Sequence, residues 1–423
     1  VRRPPAAGAA VAAFAAAVAA GLWFALHSLQ QDFAAYWIAA TARRLGLDPY
    51  VNQVGSTEAP ALWDGVALFR HSRFLYPPLI ADLFRPLASL RYAVAKTLFT
   101  AAMLGAWLGA GALLSDAGEV EPRRARTFFF AASALFFPFY RHLERGQIDL
   151  LILLLLALAW RARARPWLAG AALAAGATFK PALAGLLPVV WASGRGRSAL
   201  AALAVGAALL GLAALVDGPA RVGEYITDVL PRAALYGEGG TEEMLLPASR
   251  FDGTDDSAAG SDDGTSRLDG RTYRTAVGDA PAGASLPRLL APDAPSPASA
   301  RVPFLLALGG LTVLAWRLRA RGDATTRALL FWAAAVACVV TSPAGWVMGL
   351  VLALPLPALV AELVGEGRLS PGPLVALGLA WIAVALPAPF PGWAALAGAA
   401  LIVAAAVAAS TASGPAPRPG VPT

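Results

Sequence analysis

Long apolar runs, separated by short polar breaks, set the rhythm of this 423-residue chain. The first run covers about residues 6–29, close to the roughly 20 residues a helix needs to cross a bilayer. Arg2 and Arg3 precede it. An Ala-rich signal peptide would look similar, but many more spans follow, so the run reads as a first helix with a cytoplasmic N-terminus. Pro77-Pro78 opens a short apolar stretch to Leu90, interrupted by Asp82 and Arg85, which reads as a partly inserted helix. Further spans fall at about 92–114, 127–142 and 147–160, then about 198–216, 302–319, 327–341, 346–361, 373–387 and 393–410. Two shorter segments, about 166–178 and 182–193, flank Lys180-Pro181. The pattern predicts an all-α, polytopic transmembrane helical bundle of roughly 10–13 membrane segments.

Charge orients it. With the N-terminus inside, the cytoplasmic loops receive Arg123, Arg124 and Arg126, then Arg161, Arg163 and Arg165, then Arg195 and Arg197, then Arg317, Arg319, Arg321 and Arg327. The short outside loops near Ser342 and Pro389 carry no Lys or Arg, as the positive-inside trend requires. Residues 30–76 become a first outside loop, in which Phe33 to Leu45 reads as an interfacial helix with Tyr36 and Trp37 at headgroup level. Residues 217–301 become a long outside loop. Its stretch 252–297 is rich in Gly, Ser, Asp, Pro and Ala, and is expected to be disordered. The chain is thus expected to form one transmembrane domain over 1–410, with a short cytoplasmic tail at 411–423.

Composition agrees with the spans. Residues of the AVILMFWYC set make up 57% of the chain and charged residues 14%, with a mean hydropathy of +0.59. A soluble domain sits near about 45–50% apolar and about 25% charged. The net charge of +7 is spread over loops, not gathered with aromatics into a nucleic-acid patch, so no nucleic-acid partner is expected. Cys338 is the single cysteine, and His27, His71 and His142 have no metal-ligand spacing. Asp255-Asp256 and Asp262-Asp263 lie in the Gly/Ser tract and read as solvated charge. No phosphate-cradling Gly-rich loop is present. No metal and no cofactor are expected.

Polar groups at the membrane edge are expensive and therefore point to sites. Asp32 follows the first helix, where it reads either as an N-cap or as a general base at the membrane surface. Phe74-Leu75-Tyr76-Pro77-Pro78-Leu79, with Asp48-Pro49-Tyr50 upstream, fixes a turn and a helix start. Arg141 and Arg145, in Arg141-His142-Leu143-Glu144-Arg145-Gly146-Gln147-Ile148-Asp149, oppose the positive-inside trend. They point either to an anionic partner such as a phosphate or to pairing with Glu144 and Asp149. Lys180, one of two lysines in the chain, sits in a helix break. Such breaks border binding sites, although a lysine there could also snorkel.

These pieces together resemble glycosyltransferase family 87, the polyprenyl-phosphate-dependent, mannosyltransferase-like enzymes of the GT-C superfamily. The matching residues are Asp32 with Tyr36 and Ala39-Ala40, Gly46-Leu47-Asp48-Pro49-Tyr50, Tyr76-Pro77-Pro78, Gly146-Gln147-Ile148-Asp149, Lys180-Pro181 and Thr341-Ser342-Pro343-Ala344-Gly345-Trp346. Two departures stand out. Asp149 stands where the family often has Asn, and Val347-Met348 follow Trp346 where a histidine is usual.

The resemblance implies a GT-C-like fold and a multi-pass enzyme of the bacterial inner membrane with its active site on the extracytoplasmic face. It implies transfer of a hexose, mannose first among candidates, from a polyprenyl-phosphate donor to a lipid or glycan acceptor. The expected outcome is inversion, with Asp32 as general base and Arg145, Lys180 and Arg141 on the donor phosphate. Tyr36, Tyr76, Gln147 and Trp346 are expected to orient sugar and acceptor. The donor tail is expected in lipid near 77–90. A transporter or lipid flippase also suits broken helices and buried charges, and the missing histidine leaves room for a non-catalytic GT-C-like homologue.

Overall fold

The computed structural model describes residues 5–50, 74–115, 122–233, 265–268, 271–274, 283–290, 297–320, 322–387 and 392–412. His71 and the two aspartate pairs of the Gly/Ser tract lie outside these residues, as does the tail from 413 onward. Among the described residues five helices are long and apolar enough to cross a membrane: Tyr92–Leu114, Gly196–Asp217, Arg301–Leu318, Val347–Gly365 and Trp393–Thr411. Shorter apolar helices include Val11–His27, Pro166–Phe179, Pro181–Ala192, Ala324–Val340 and Pro371–Ala385. The protein is a helical membrane bundle.

The first half runs α1 (Pro5–His27), α2 (Gln31–Arg44), α3 (Pro78–Ala88), α4 (Tyr92–Ser115), α5 (Pro122–Ala134), α6 (Phe137–Arg145), α7 (Asp149–Arg161) and α8 (Pro166–Phe179). After a 3-10 turn at Pro181–Gly185 come α9 (Leu186–Ala192), α10 (Gly196–Asp217), α11 (Pro219–Glu224) and α12 (Leu230–Ala233). Strands β1 (Thr265–Leu268) and β2 (Arg271–Arg274) form an antiparallel hairpin. Then follow α13 (Leu286–Leu290), α14 (Pro297–Leu318), α15 (Ala324–Val340), a 3-10 segment at Val347–Ala353, α16 (Leu356–Gly365), α17 (Pro371–Ala385) and α18 (Trp393–Thr411).

Most long helices are apolar all round, the pattern of segments covered by lipid or protein on every side. α15 sits at the centre, with every residue except Ala324 and Arg327 buried. Leu215 on α10 and Leu305 and Leu306 on α14 stay exposed, as lipid-facing residues do. A cavity of about 520 Å³ opens between α5, α16, α17 and α18, lined by apolar side chains such as Phe128, Val360, Leu377 and Leu401.

Proline redraws two expected spans. The run 127–142 is two helices, because Phe136 is extended and Pro138 sits at the start of α6, where its missing N–H costs nothing. The run 346–361 begins as a 3-10 segment and becomes α-helical only after Pro355. The expected interfacial helix is α2, and α3 covers it. Ten of its fourteen residues are buried, because the apolar face of α3 packs across it. Tyr36 is wholly buried, while Trp37 keeps partial exposure and donates from Nε1 to the carbonyl of Leu90 at 3.3 Å.

The stretch expected to be disordered, 252–297, contains the β1–β2 hairpin and α13. Two attachments order these pieces. Tyr273 is buried, with the Lys96 ammonium 4.1 Å from its ring centre. The Ala284 N–H donates to the Gly345 carbonyl at 2.9 Å, so the chain near 284 lies against the Ser342–Trp346 motif.

Candidate active site

The site is built on a close approach of two backbones. The turn between α6 and α7 places Gly146 at φ +67°, a left-handed conformation that glycine adopts without steric cost. A Cβ there would lie 2.7 Å from Cβ of Gln30 and 2.8 Å from Cβ of Phe33. Only glycine lets the turn press on the start of α2, and that contact brings Arg145 to Asp32.

Arg145 donates from Nε to Oδ2 of Asp32 at 3.1 Å and from Nη2 to Oδ1 at 3.4 Å, and its Nη1 bonds Gln31. A fork of this kind fixes both partners in direction as well as distance. The cap reading of Asp32 does not hold. Gln30 flanks α2, and Asp32 lies within the first turn, where its charge also suits the helix dipole.

One turn further along the same face, the Tyr36 hydroxyl lies 2.6 Å from the Tyr76 hydroxyl and 3.3 Å from Oε1 of Gln147. Tyr76 is held from behind, because the Tyr50 hydroxyl donates to its carbonyl at 2.8 Å. Burial pushes the phenols of Tyr36 and Tyr76 up, and the negative charges of Asp32 and Asp149 add to the shift. Both therefore remain neutral hydroxyls that can donate to a ligand oxygen. Four of the expected residues, Asp32, Tyr36, Tyr76 and Gln147, thus gather with Arg145 from three separate parts of the chain.

Lys180 belongs to an adjoining cluster. It sits in the extended break after α8, and its Nζ lies 2.5 Å from Oδ1 of Asp149, whose side chain is fully buried. A Cβ on Gly349 would lie 3.1 Å from that Nζ, so the segment after Trp346 backs onto the lysine. Trp346 itself is half-buried and extended, with its backbone bridged to Gly283. Arg141 pairs with Glu144 at 2.5 Å, as Arg145 pairs with Asp32 and Lys180 with Asp149.

Sequence reasoning finds no metal-ligand spacing for His142 and passes over Gln30. His142 is buried, and its Nε2 accepts the N–H of Leu150 at 3.1 Å, tying α6 to α7 beside the Asp149–Lys180 pair. Neither residue carries a signal in its spacing. Among the described residues no three His, Cys, Asp or Glu side chains gather as a metal ion would need.

Residues 74–253 match the family model of glycosyltransferase family 87. The matched segment carries Tyr76, Arg141, Arg145, Gln147, Asp149 and Lys180, whereas Asp32, Tyr36 and Trp346 lie outside it. The match bears out the family resemblance read from the sequence and supports an enzyme of the transferase class. A search among curated proteins finds no match.

Proposed function

We propose that this glycosyltransferase moves a hexose, mannose first among candidates, from a polyprenyl-phosphate donor to a hydroxyl of a lipid or glycan acceptor at the extracytoplasmic face, with inversion. The observation that carries this reading is the Arg145–Asp32 fork with Tyr36, Tyr76 and Gln147 beside it. It combines a carboxylate, a cation and neutral hydroxyl donors, which are the groups the reaction uses.

In the resting state the guanidinium occupies the carboxylate. A donor phosphate competes with the paired carboxylates for Arg145, Lys180 and Arg141. As Arg145 turns to the phosphate, Asp32 becomes available to an acceptor hydroxyl. That oxygen attacks the anomeric carbon from the face opposite the leaving group. The new C–O bond forms, the bond from the anomeric carbon to the phosphate oxygen breaks, and the electron pair leaves with polyprenyl phosphate. Asp32 takes the acceptor proton. Preorganised positive charge on the leaving phosphate acts strongly in a site shielded from water. Tyr36, Tyr76 and Gln147 hold sugar hydroxyls, and Trp346 offers a stacking face.

The test is sugar transfer by purified protein in lipid nanodiscs, with polyprenyl-phosphate mannose as donor. Asp32→Asn is expected to lose transfer while folding normally, and equal rates in wild type and variant would overturn the base assignment. Chelators are expected to leave the rate unchanged.

A further inference from the structure

We infer that Gln30 is a positioning residue whose strained backbone and buried amide together hold Asp32 against Arg145. The inference rests on the proposed role of Asp32 as base. Among the described residues Gln30 is the only non-glycine with positive φ, at φ 54° and ψ 67°. Side chains rarely adopt this region, and glycine or asparagine would take it at lower cost. Strain of this kind persists only where the surroundings over-determine it, and it concentrates at functional sites.

The surroundings of Gln30 do over-determine it. It is 2% exposed, and its Nε2 donates to the Leu143 carbonyl and to Oγ1 of Thr100, each at 2.9 Å. Its own N–H donates to Oγ of Ser28 at 3.2 Å, and Ser28 Oγ donates to the Glu144 carbonyl at 2.8 Å. Its carbonyl accepts the N–H of Ala34 at 2.9 Å and so begins α2. Gly146 packs against its Cβ.

Gln30 stands two residues before Asp32, and its amide grips the residue two before Arg145. One side chain therefore fixes both members of the ion pair in a common frame. A glycine would relieve the backbone but could not reach Leu143. That explains why a strained glutamine occupies the position.

The experiment compares wild type, Gln30→Gly, Gln30→Ala and Asp32→Asn in nanodiscs, reading melting temperature and steady-state transfer from polyprenyl-phosphate mannose. Gln30→Gly removes the amide and the strain together. It is expected to melt no lower than Gln30→Ala, which keeps the strain without the amide. It is also expected to lose about 10²-fold in kcat, the size of a misalignment effect, with the donor KM unchanged. A wild-type kcat in Gln30→Gly beside an inactive Asp32→Asn overturns the positioning role and leaves the base reading standing. A normal rate in Asp32→Asn overturns the base reading itself. If Gln30→Gly raises KM in step with any loss of kcat, the amide serves binding or folding, and the inference falls. The melting order needs no donor, and Gln30→Ala melting above Gln30→Gly would remove the strain argument.

Discussion

Helix α2 carries a charged group at each end, and the two ends pair with different partners. At its C-terminal end Arg43 lies 3.4 Å from Asp82 of α3 and also pairs with Asp217, whose side chain is fully buried at the close of α10. Arg221 reaches Asp48 nearby at 3.7 Å. Here one guanidinium is shared by carboxylates from two other helices, so moving it would strand buried charge. At the N-terminal end Asp32 meets Arg145, which is 17% exposed, and the hydroxyls of Tyr36 and Tyr76 and the amide of Gln147 lie one turn further along the helix. On the proposed mechanism Arg145 turns from Asp32 to the donor phosphate, whereas Arg43 stays between its two carboxylates. On that reading, ion pairs of similar geometry serve as a lock at one end of the helix and as a site at the other.

The largest expected effect breaks this comparison at the N-terminal end. Asp32→Asn is expected to lower transfer by about 10²–10⁴-fold, or roughly 3–5 kcal/mol of transition-state stabilisation, while the melting temperature stays close to wild type. Initial rates and thermal melting on one preparation check it. A variant that unfolds instead would make Asp32 another lock.

The C-terminal end is expected to behave in the opposite way. Arg43→Met leaves Asp217 buried without its guanidinium. Breaking a buried pair costs about 3–5 kcal/mol, and the partial exposure of Arg43 puts the loss near the lower end of that range. Denaturant unfolding should register it, and the specific activity of the protein that remains folded should hardly change. Next in size is Gly146→Ala. Holding a non-glycine at φ +67° costs about 1–3 kcal/mol, and the added methyl would also push the turn away from Gln30 and Phe33. Both stability and transfer should fall, because this glycine serves the fold and the site at once.

Much of the N-terminal site is legible in the amino-acid sequence. Asp32, Arg145 and Lys180 are polar groups placed where a membrane protein can ill afford them, and that cost marks them, whereas Tyr76 and Gln147 are picked out by the family resemblance. Their pairing is not legible. Asp32 and Arg145 stand 113 residues apart, and no periodicity says that Arg145 takes Asp32 while Lys180 takes Asp149. The lock at Arg43 escapes notice because Asp82 reads as an interruption of an apolar stretch and Asp217 as the end of a span, each explained without the other. Gln30 is invisible for a further reason, since left-handed backbone is announced by glycine or asparagine and glutamine gives no such sign. The broken spans at Pro138 and Pro355 are readable in principle, because proline cannot continue a helix ladder. Apolar run length, the stronger signal, hides them.

The smallest predicted effect tests whether the neutral hydroxyls distinguish the two ends of α2. Tyr36→Phe removes one hydroxyl from a buried cluster and leaves the ring in place. The Tyr76 hydroxyl and Oε1 of Gln147 then lose a partner, but each retains the capacity to pair with the other or with a sugar. A single neutral hydrogen bond is worth about 0.5–1.5 kcal/mol, so a sugar contact made through Tyr36 predicts a fall of roughly threefold to tenfold in kcat/KM. If the contact is equally strong in the ground state and the transition state, the change falls on KM, and if it strengthens as the sugar flattens, it falls on kcat. Steady-state kinetics with varied donor separates the two. An unchanged kcat/KM would mean that the tyrosine pair only packs the helix interface, in the way Arg43 and its carboxylates do at the other end.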